Sequence, residues 1–179
     1  MRDLEQHRIS GRTLYTTSIL RLEEDDVLMP NGNQVQRVVI RKSSASVIIP
    51  LTSRGTVLLV RQWRYAATRA LIELPAGVLE DDEDPLMAAH RELREETGYQ
   101  AQEMIKLFAS YPAPGICDEL LHFYLATDLQ PAPLPGDEDE DIEVIEMTLD
   151  EAIADPETHY DCKTLLGLLV AKQYLNFSS

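Results

Sequence analysis

Cysteine is nearly absent from this chain: Cys117 and Cys162 are the only two in 179 residues. Two are too few for a disulfide scaffold, they lack the spacing of a zinc site, and each reads as a small buried apolar residue. Histidine is equally sparse. His7, His90, His122 and His159 are scattered and form no metal signature. Long apolar runs are missing as well, since a stretch such as residues 165–171 is far too short to span a bilayer. The opening MRDLEQHRIS has no apolar segment of the signal-peptide kind, so a soluble cytoplasmic protein without membrane attachment is expected. Positive charge is in deficit too, with 16 Lys and Arg against 31 Asp and Glu and a formal net charge of −15. Such a field repels nucleic-acid backbones and anionic membranes, so neither is expected as a partner. It also opposes a small phosphorylated ligand unless bound cations offset the charge locally.

What is there suffices for a substantial core: 44% of the residues are hydrophobic, and the length suits one globular fold. No internal repeat is visible. The only low-complexity stretch is Asp137-Glu138-Asp139-Glu140-Asp141, which follows the proline-rich QPAPLPG. Residues 1–44 read as an antiparallel β unit, with strands over 13–22 and 35–42 and turn chemistry at Pro30-Asn31-Gly32-Asn33. Residues 45–179 form the main domain. Its strands are expected over 46–51, 57–63, 103–110, 120–126 and 142–147, and its helices over 85–97 and 163–174, with a short one near 150–154. Strands before, between and after helices predict an α/β (α+β) fold with a mixed β-sheet.

The helix over 85–97 has unusual chemistry. Asp84 is a good N-cap, Pro85 fits the first turn, and Gly98 is placed to end it. Leu86, Ala89 and Leu93 make an apolar stripe for packing on a sheet. Glu92 and Glu96, four apart, lie one above the other on a single face, with Glu95 three from Glu92. Like charges at that spacing destabilise a helix mildly, so helix stability does not ask for them. Arg91 can pair with Glu95, which accounts for one carboxylate and not for the cluster. Clustered hard oxygen ligands suit Mg²⁺ or Mn²⁺ together with phosphate oxygens. From charge pattern alone, a solvated acidic helix face is an equally good reading.

The spacing separates the two. Residues 77–99, GVLEDDEDPLMAAHRELREETGY, resemble the Nudix box, G-x5-E-x7-R-E-U-x-E-E-x-G-U, where U is a bulky apolar residue. Gly77, Glu83, Arg91, Glu92, Leu93, Glu95, Glu96 and Gly98 each fall in place, and Tyr99 fills the last position atypically. The resemblance implies a Nudix fold, a mixed sheet sandwiched between helices, and metal-dependent cleavage of a pyrophosphate. It implies Glu92 and Glu96 as metal ligands, Glu95 as a ligand or a partner of one, Arg91 orienting the glutamates, and Glu83 reaching the helix from the preceding loop. The backbone carbonyl of Ala76 would be a further metal ligand, and Mg²⁺ the cofactor, with Mn²⁺ as an alternative.

The resemblance covers most of the chain. VRQWRYAATRALIELPAGVLE, residues 60–80, looks like the lead-in of ADP-ribose and nucleoside-diphosphate-sugar pyrophosphatases. Pro114, 16 residues after Gly98, stands where that subclass has a proline, although Ala113 replaces its usual serine. DEDEDI matches a late acidic loop, which makes Glu138 the candidate general base and Glu140 a further metal ligand. Asp139 and Asp141 offer alternative registers. Among substrate contacts, Arg64 matches an arginine that meets the diphosphate, Glu119 a carboxylate on the sugar side, and Arg37 an arginine near the base. Val38 stands where the subclass often has Glu, which removes an acceptor for adenine. Tyr15 and Trp63 are stacking candidates, although each is more often a core or sheet residue. The resemblance further implies a homodimer that exchanges N-terminal strands. The implied reaction splits ADP-ribose or a related NDP-sugar into a nucleoside monophosphate and a sugar phosphate. The alternatives are a dinucleotide polyphosphate or nucleoside triphosphate substrate, or a non-catalytic nucleotide sensor.

Overall fold

The computed structural model describes residues 4–136 and 141–178, and the chain divides into two compact units. The first comprises the described residues up to Ser43 together with Tyr111–Leu120. Its strands β1 (His7–Thr16), β2 (Arg21–Leu28) and β3 (Gln34–Arg41) form an antiparallel sheet in that order. The expected single strand over 13–22 is in fact the end of β1, a turn and the start of β2. Thr17 makes that turn: its N–H donates to the Leu20 carbonyl at 2.9 Å, and its Oγ1 accepts from the N–H groups of Ile19 and Leu20 at 3.2 and 3.1 Å. A threonine hydroxyl thus does what Gly or Pro usually does. The β2–β3 turn falls on Pro30-Asn31-Gly32-Asn33 as expected, with Asn31 Oδ1 accepting from Asn33 N–H at 3.1 Å.

Charge dominates the interior of this sheet. Glu23, Asp25 and Val27 alternate as the buried residues of β2. Arg41 bridges Glu23 at 2.9 Å, Asp25 at 3.1 Å and Asp118 at 3.3 Å, while Arg8 donates to Asp25 at 2.7 Å. These paired charges occupy positions that apolar side chains fill in most half-buried sheets. The segment Tyr111–Leu120 joins the unit through Ile40, whose N–H donates to the Ile116 carbonyl at 2.8 Å.

The second unit holds the main core. Strands β4 (Ala45–Pro50), β7 (Ala76–Val78), β8 (Tyr99–Ser110) and β9 (Leu121–Pro131) form a mixed sheet in the order β7-β4-β9-β8. Strands β4 and β9 run parallel and the other pairs antiparallel. A second sheet, in the order β10-β5-β6, is built from β5 (Thr56–Arg64), β6 (Arg69–Glu73) and β10 (Glu143–Thr148). The helices are α1 (Pro85–Thr97), α2 (Leu149–Ala154) and α3 (Cys162–Ser178).

Strand β4 is buried at all six positions, and alternation sends its side chains to two cores. Val47 and Ile49, with Phe123 and Leu125, pack on Val57 and Leu59 of β5, Ala152 of α2 and Leu168 of α3. Ile48, Tyr124 and Ala126 pack on Ala89 and Leu93 of α1. The mixed sheet therefore lies between α1 on one face and the second sheet with α2 and α3 on the other, as the sequence led us to expect. Burying a side chain such as Leu93 contributes about 2 kcal/mol.

The ends of α1 are those read from its caps. Asp84 accepts from Leu86 N–H at 2.8 Å, and Gly98, at φ 77°, closes the helix. One member of the expected stripe is displaced: Leu86 is exposed, and Ala88 is buried in its place. Strands β6 and β7 were not expected from sequence. Both are short and owe their existence to pairing with β5 and β4.

Candidate active site

The buried face of α1 holds two carboxylates where a packing helix usually presents apolar groups. Glu92 and Glu96 are 8% and 6% exposed. They face the strand that follows β6: Ala76 N–H donates to Glu96 Oε2 at 3.0 Å, and Gly77 lies against Glu92 so closely that a Cβ there would overlap its carboxylate. Glycine at 77 is thus a requirement of close approach.

Arg91 organises the acids around it. Its Nε and Nη2 donate to the two oxygens of Glu83 at 3.1 and 2.9 Å, a forked pair. Nη1 donates to Glu92 at 2.6 Å and to Glu95 at 2.9 Å, and Nη2 also reaches the Val78 carbonyl at 3.2 Å. These bonds, first those to Glu83, hold the guanidinium well above its ordinary range against the opposing effect of burial. Glu83 is correspondingly held below the usual carboxylate range, chiefly by Arg91. One guanidinium therefore fixes three carboxylates, and with Glu96 the cluster keeps an excess of negative charge. Such a cluster repels a diphosphate unless cations intervene.

These residues fit a divalent cation. Among the described residues no group of three His, Cys, Asp or Glu side chains is disposed to enclose a metal alone. Mg²⁺ does not need such a cage, because it commonly takes one or two carboxylates and completes its shell with water and phosphate oxygens. Two buried carboxylates one helical turn apart, with a strand backbone brought against them by the absence of a side chain at Gly77, supply that set.

Of the residues singled out from sequence, the structure brings together Ala76, Arg91, Glu92, Glu95 and Glu96. Arg64, at the end of β5, is held above the ordinary guanidinium range first by its hydrogen bonds to Glu73, and the charge of Glu96 adds a smaller contribution. Arg37 and Glu119 belong to the first unit. There Arg37 donates to the Gln36 carbonyl at 3.2 Å, and Glu119 pairs with Lys42. Glu138 and Glu140 lie outside the described residues.

Sequence reasoning passed over two residues near this site, Glu73 and its partner Lys163. Glu73 has a side chain 2% exposed, bonded to Arg64 Nε and Nη2 at 2.7 and 2.8 Å and also to Lys163. The available signal was a lone acid flanked by Ile72 and Leu74, since a carboxylate set among apolar strand residues demands a cationic partner.

A Nudix-type site on a Nudix-type fold is the class that this geometry defines, and comparison with known proteins agrees. The family model described as the NUDIX domain matches residues 41–165. The ADP-ribose pyrophosphatase of Bacillus subtilis (strain 168) is 36% identical over 179 residues, covering 98% of this chain and 95% of that protein. The methanol dehydrogenase activator of Bacillus methanolicus is 37% identical over 175 residues, covering 96% and 92%. The GDP-mannose pyrophosphatase of Citrobacter koseri is 39% identical over 175 residues, covering 90% and 89%. A crystal structure described as an ADP compounds hydrolase superposes with a TM-score of 0.85, at 22% identity, over 100% of this chain and 99% of that one, which establishes the shared fold. The chain belongs to the Nudix family.

Proposed function

We propose that the protein hydrolyses the pyrophosphate of ADP-ribose or a related nucleoside-diphosphate sugar, giving a nucleoside monophosphate and a sugar phosphate. The observation that carries this reading is the pair of buried carboxylates, Glu92 and Glu96, held against the Ala76–Gly77 backbone beside the Arg91 array. Two of the relatives above are named as pyrophosphatases of such compounds, one for ADP-ribose and one for GDP-mannose.

Glu92, Glu96 and the carbonyl of Ala76 would hold Mg²⁺, with Glu140 as a further ligand and Mn²⁺ as the alternative ion. Held there, such an ion would supply charge neutralisation at the phosphoryl oxygens and a lowered pKa for its bound water. Arg91 keeps Glu92 and Glu95 in one orientation, so little reorganisation is needed when substrate arrives. Arg64 offers its charge and its remaining N–H donors to the diphosphate. Glu138 takes the proton of the attacking water, and Asp139 and Asp141 are the alternative bases. Arg37 and Glu119 contact the base and sugar sides.

A homodimer that exchanges N-terminal strands is part of the same reading. All ten residues of β1 are exposed, including Ile9, Leu14 and Tyr15, and an exposed strand invites pairing. Among the described residues no helix is long and apolar enough to cross a membrane.

The test is a panel of ADP-ribose, GDP-mannose, ADP-glucose, diadenosine polyphosphates and dNTPs incubated with Mg²⁺, with products separated by ion exchange. ADP-ribose or a sugar analogue should be consumed fastest, with equimolar monophosphate products. Preferential turnover of dNTPs refutes the substrate class. Tight ADP-ribose binding without hydrolysis in Mg²⁺ or Mn²⁺ makes the protein a sensor instead.

A further inference from the structure

Arg64 does not stand alone at the end of β5. Its Nε and Nη2 are both committed to Glu73, and the pair leaves Nη1 for another acceptor. Glu73 is in turn held by Lys163, the second residue of α3, which also bonds Asp161 at 2.8 Å. Asp161 accepts from Thr164 N–H at 3.1 Å and from its Oγ1 at 2.6 Å, and Thr164 Oγ1 accepts from Leu74 N–H at 2.7 Å. The first turn of α3 therefore grips Glu73 through a cation and Leu74 through a hydroxyl. Two residues further on, Ala76 N–H holds Glu96. One short backbone run thus carries both the anchor of Arg64 and the strand that faces the Glu92–Glu96 pair.

We propose that Glu73 is a positioning residue for substrate binding: it fixes the Nε–Nη2 edge of the Arg64 guanidinium so that Nη1 meets the diphosphate in a set orientation. The proposal rests on the reading of Arg64 as a diphosphate contact. Fold stability alone does not call for this arrangement, because well-packed apolar residues commonly serve a core as well as a buried ion pair does. The exposures differ in the way a presenting role requires. The Glu73 side chain is 2% exposed and the Lys163 side chain 16%, whereas that of Arg64 is 41% exposed, so the anchor is sealed and the cation it holds is open. Burial alone would raise Glu73, yet the bonds and charges of Arg64 and Lys163 outweigh it, so the anchor stays ionised at neutral pH. A flexible arginine must give up rotamer freedom each time it captures an anion, and a forked anchor removes most of that loss beforehand.

The experiment is steady-state kinetics with ADP-ribose and Mg²⁺ on Glu73→Gln, Arg64→Ala and the double variant. Glu73→Gln should raise KM about tenfold with kcat within about threefold, the pattern of lost ground-state binding. Arg64→Ala should raise KM at least as far, and adding Glu73→Gln to it should raise KM no further. A multiplicative KM effect in the double variant overturns the proposal and leaves the role of Arg64 standing. An unchanged KM in Arg64→Ala overturns both. Should Glu73→Gln not fold, Glu73→Asp takes its place: the charge is kept but the carboxylate is withdrawn by one methylene. It should raise KM by an intermediate factor in the parent and have no effect on KM in Arg64→Ala, and any effect there counts against the proposal.

Discussion

Replacing Gly77 with alanine tests the contact on which the candidate metal site depends. The three atoms nearest an added Cβ are Oε1, Cδ and Oε2 of Glu92, and all three would be overlapped. They form the far end of a flexible side chain, so the clash is relieved by swinging the carboxylate away from the strand. That motion breaks the 2.6 Å bond from Arg91, a charge-assisted interaction worth about 1.5–3 kcal/mol. Gly→Ala also reduces the entropy of the unfolded chain, which returns about 0.4–1 kcal/mol. The net loss is about 1–2 kcal/mol, a fall in Tm of about 2–8 °C for a chain of this size. Function should suffer far more than stability, because a displaced Glu92 removes one of the two buried carboxylates. Turnover of ADP-ribose should fall about a hundredfold, and the Mg²⁺ concentration for half-maximal rate should rise about tenfold or more. Product release measured across a Mg²⁺ titration, with a parallel thermal melt, reads both quantities. Gly55→Ala is the matched control. Gly55 has φ 77° and open space around an added Cβ, so the change costs about 1 kcal/mol in stability and leaves turnover alone. Parent-like turnover and Mg²⁺ dependence in Gly77→Ala would refute the argument that this backbone approach shapes the site.

Other expectations follow from the same network and its surroundings. Glu138→Gln should lower kcat about a hundredfold with little change in KM, and full activity would move the base to Asp139 or Asp141. Arg91→Lys keeps the charge but cannot fork to Glu83 while reaching Glu92 and Glu95, so kcat/KM should fall about ten- to a hundredfold, and a loss under twofold counts against Arg91 as organiser. His122 provides a pH test. Its Nδ1 is buried without a hydrogen-bond partner among the described residues, and burial, then the charge of Lys106, lowers its pKa from the ordinary 6.5, against an opposing pull from Asp84. As pH falls through about 6.5 the unfolded chain takes up the proton first, so the contribution of His122 is full above that value and is lost progressively below it. Urea melts at about pH 7.5 and 5.5 should show a smaller acid loss for His122→Gln than for the parent, and equal losses refute the assignment.

Features written in local chemistry were legible in the sequence. The caps Asp84 and Gly98 gave α1 its bounds, and the spacing of Arg91, Glu92, Glu95 and Glu96 within one helix set their common face. The β1–β2 break was not legible, because the Thr17 hydroxyl makes the turn without Gly or Pro. Strand β7 depends on a partner distant in sequence, and both it and β6, at three and five residues, carry too little pattern to announce themselves. Glu73 was hidden for the same reason: its partners lie 9 and 90 residues away, so only the folded chain shows why an acid belongs between Ile72 and Leu74.

The charged interior of β1–β3 bears on how the molecule breathes. Val27 is the only buried apolar residue among those described in the first unit, and neither hydrophobic cluster includes a residue from it. Desolvated ion pairs add little net free energy, so amide protons of that sheet should exchange with solvent through local opening, well before those of β4 and β9. Such exchange would slow as the protein is concentrated if a second copy covers β1, so the rate at one set of amides would report self-association without any change in spectroscopic signal.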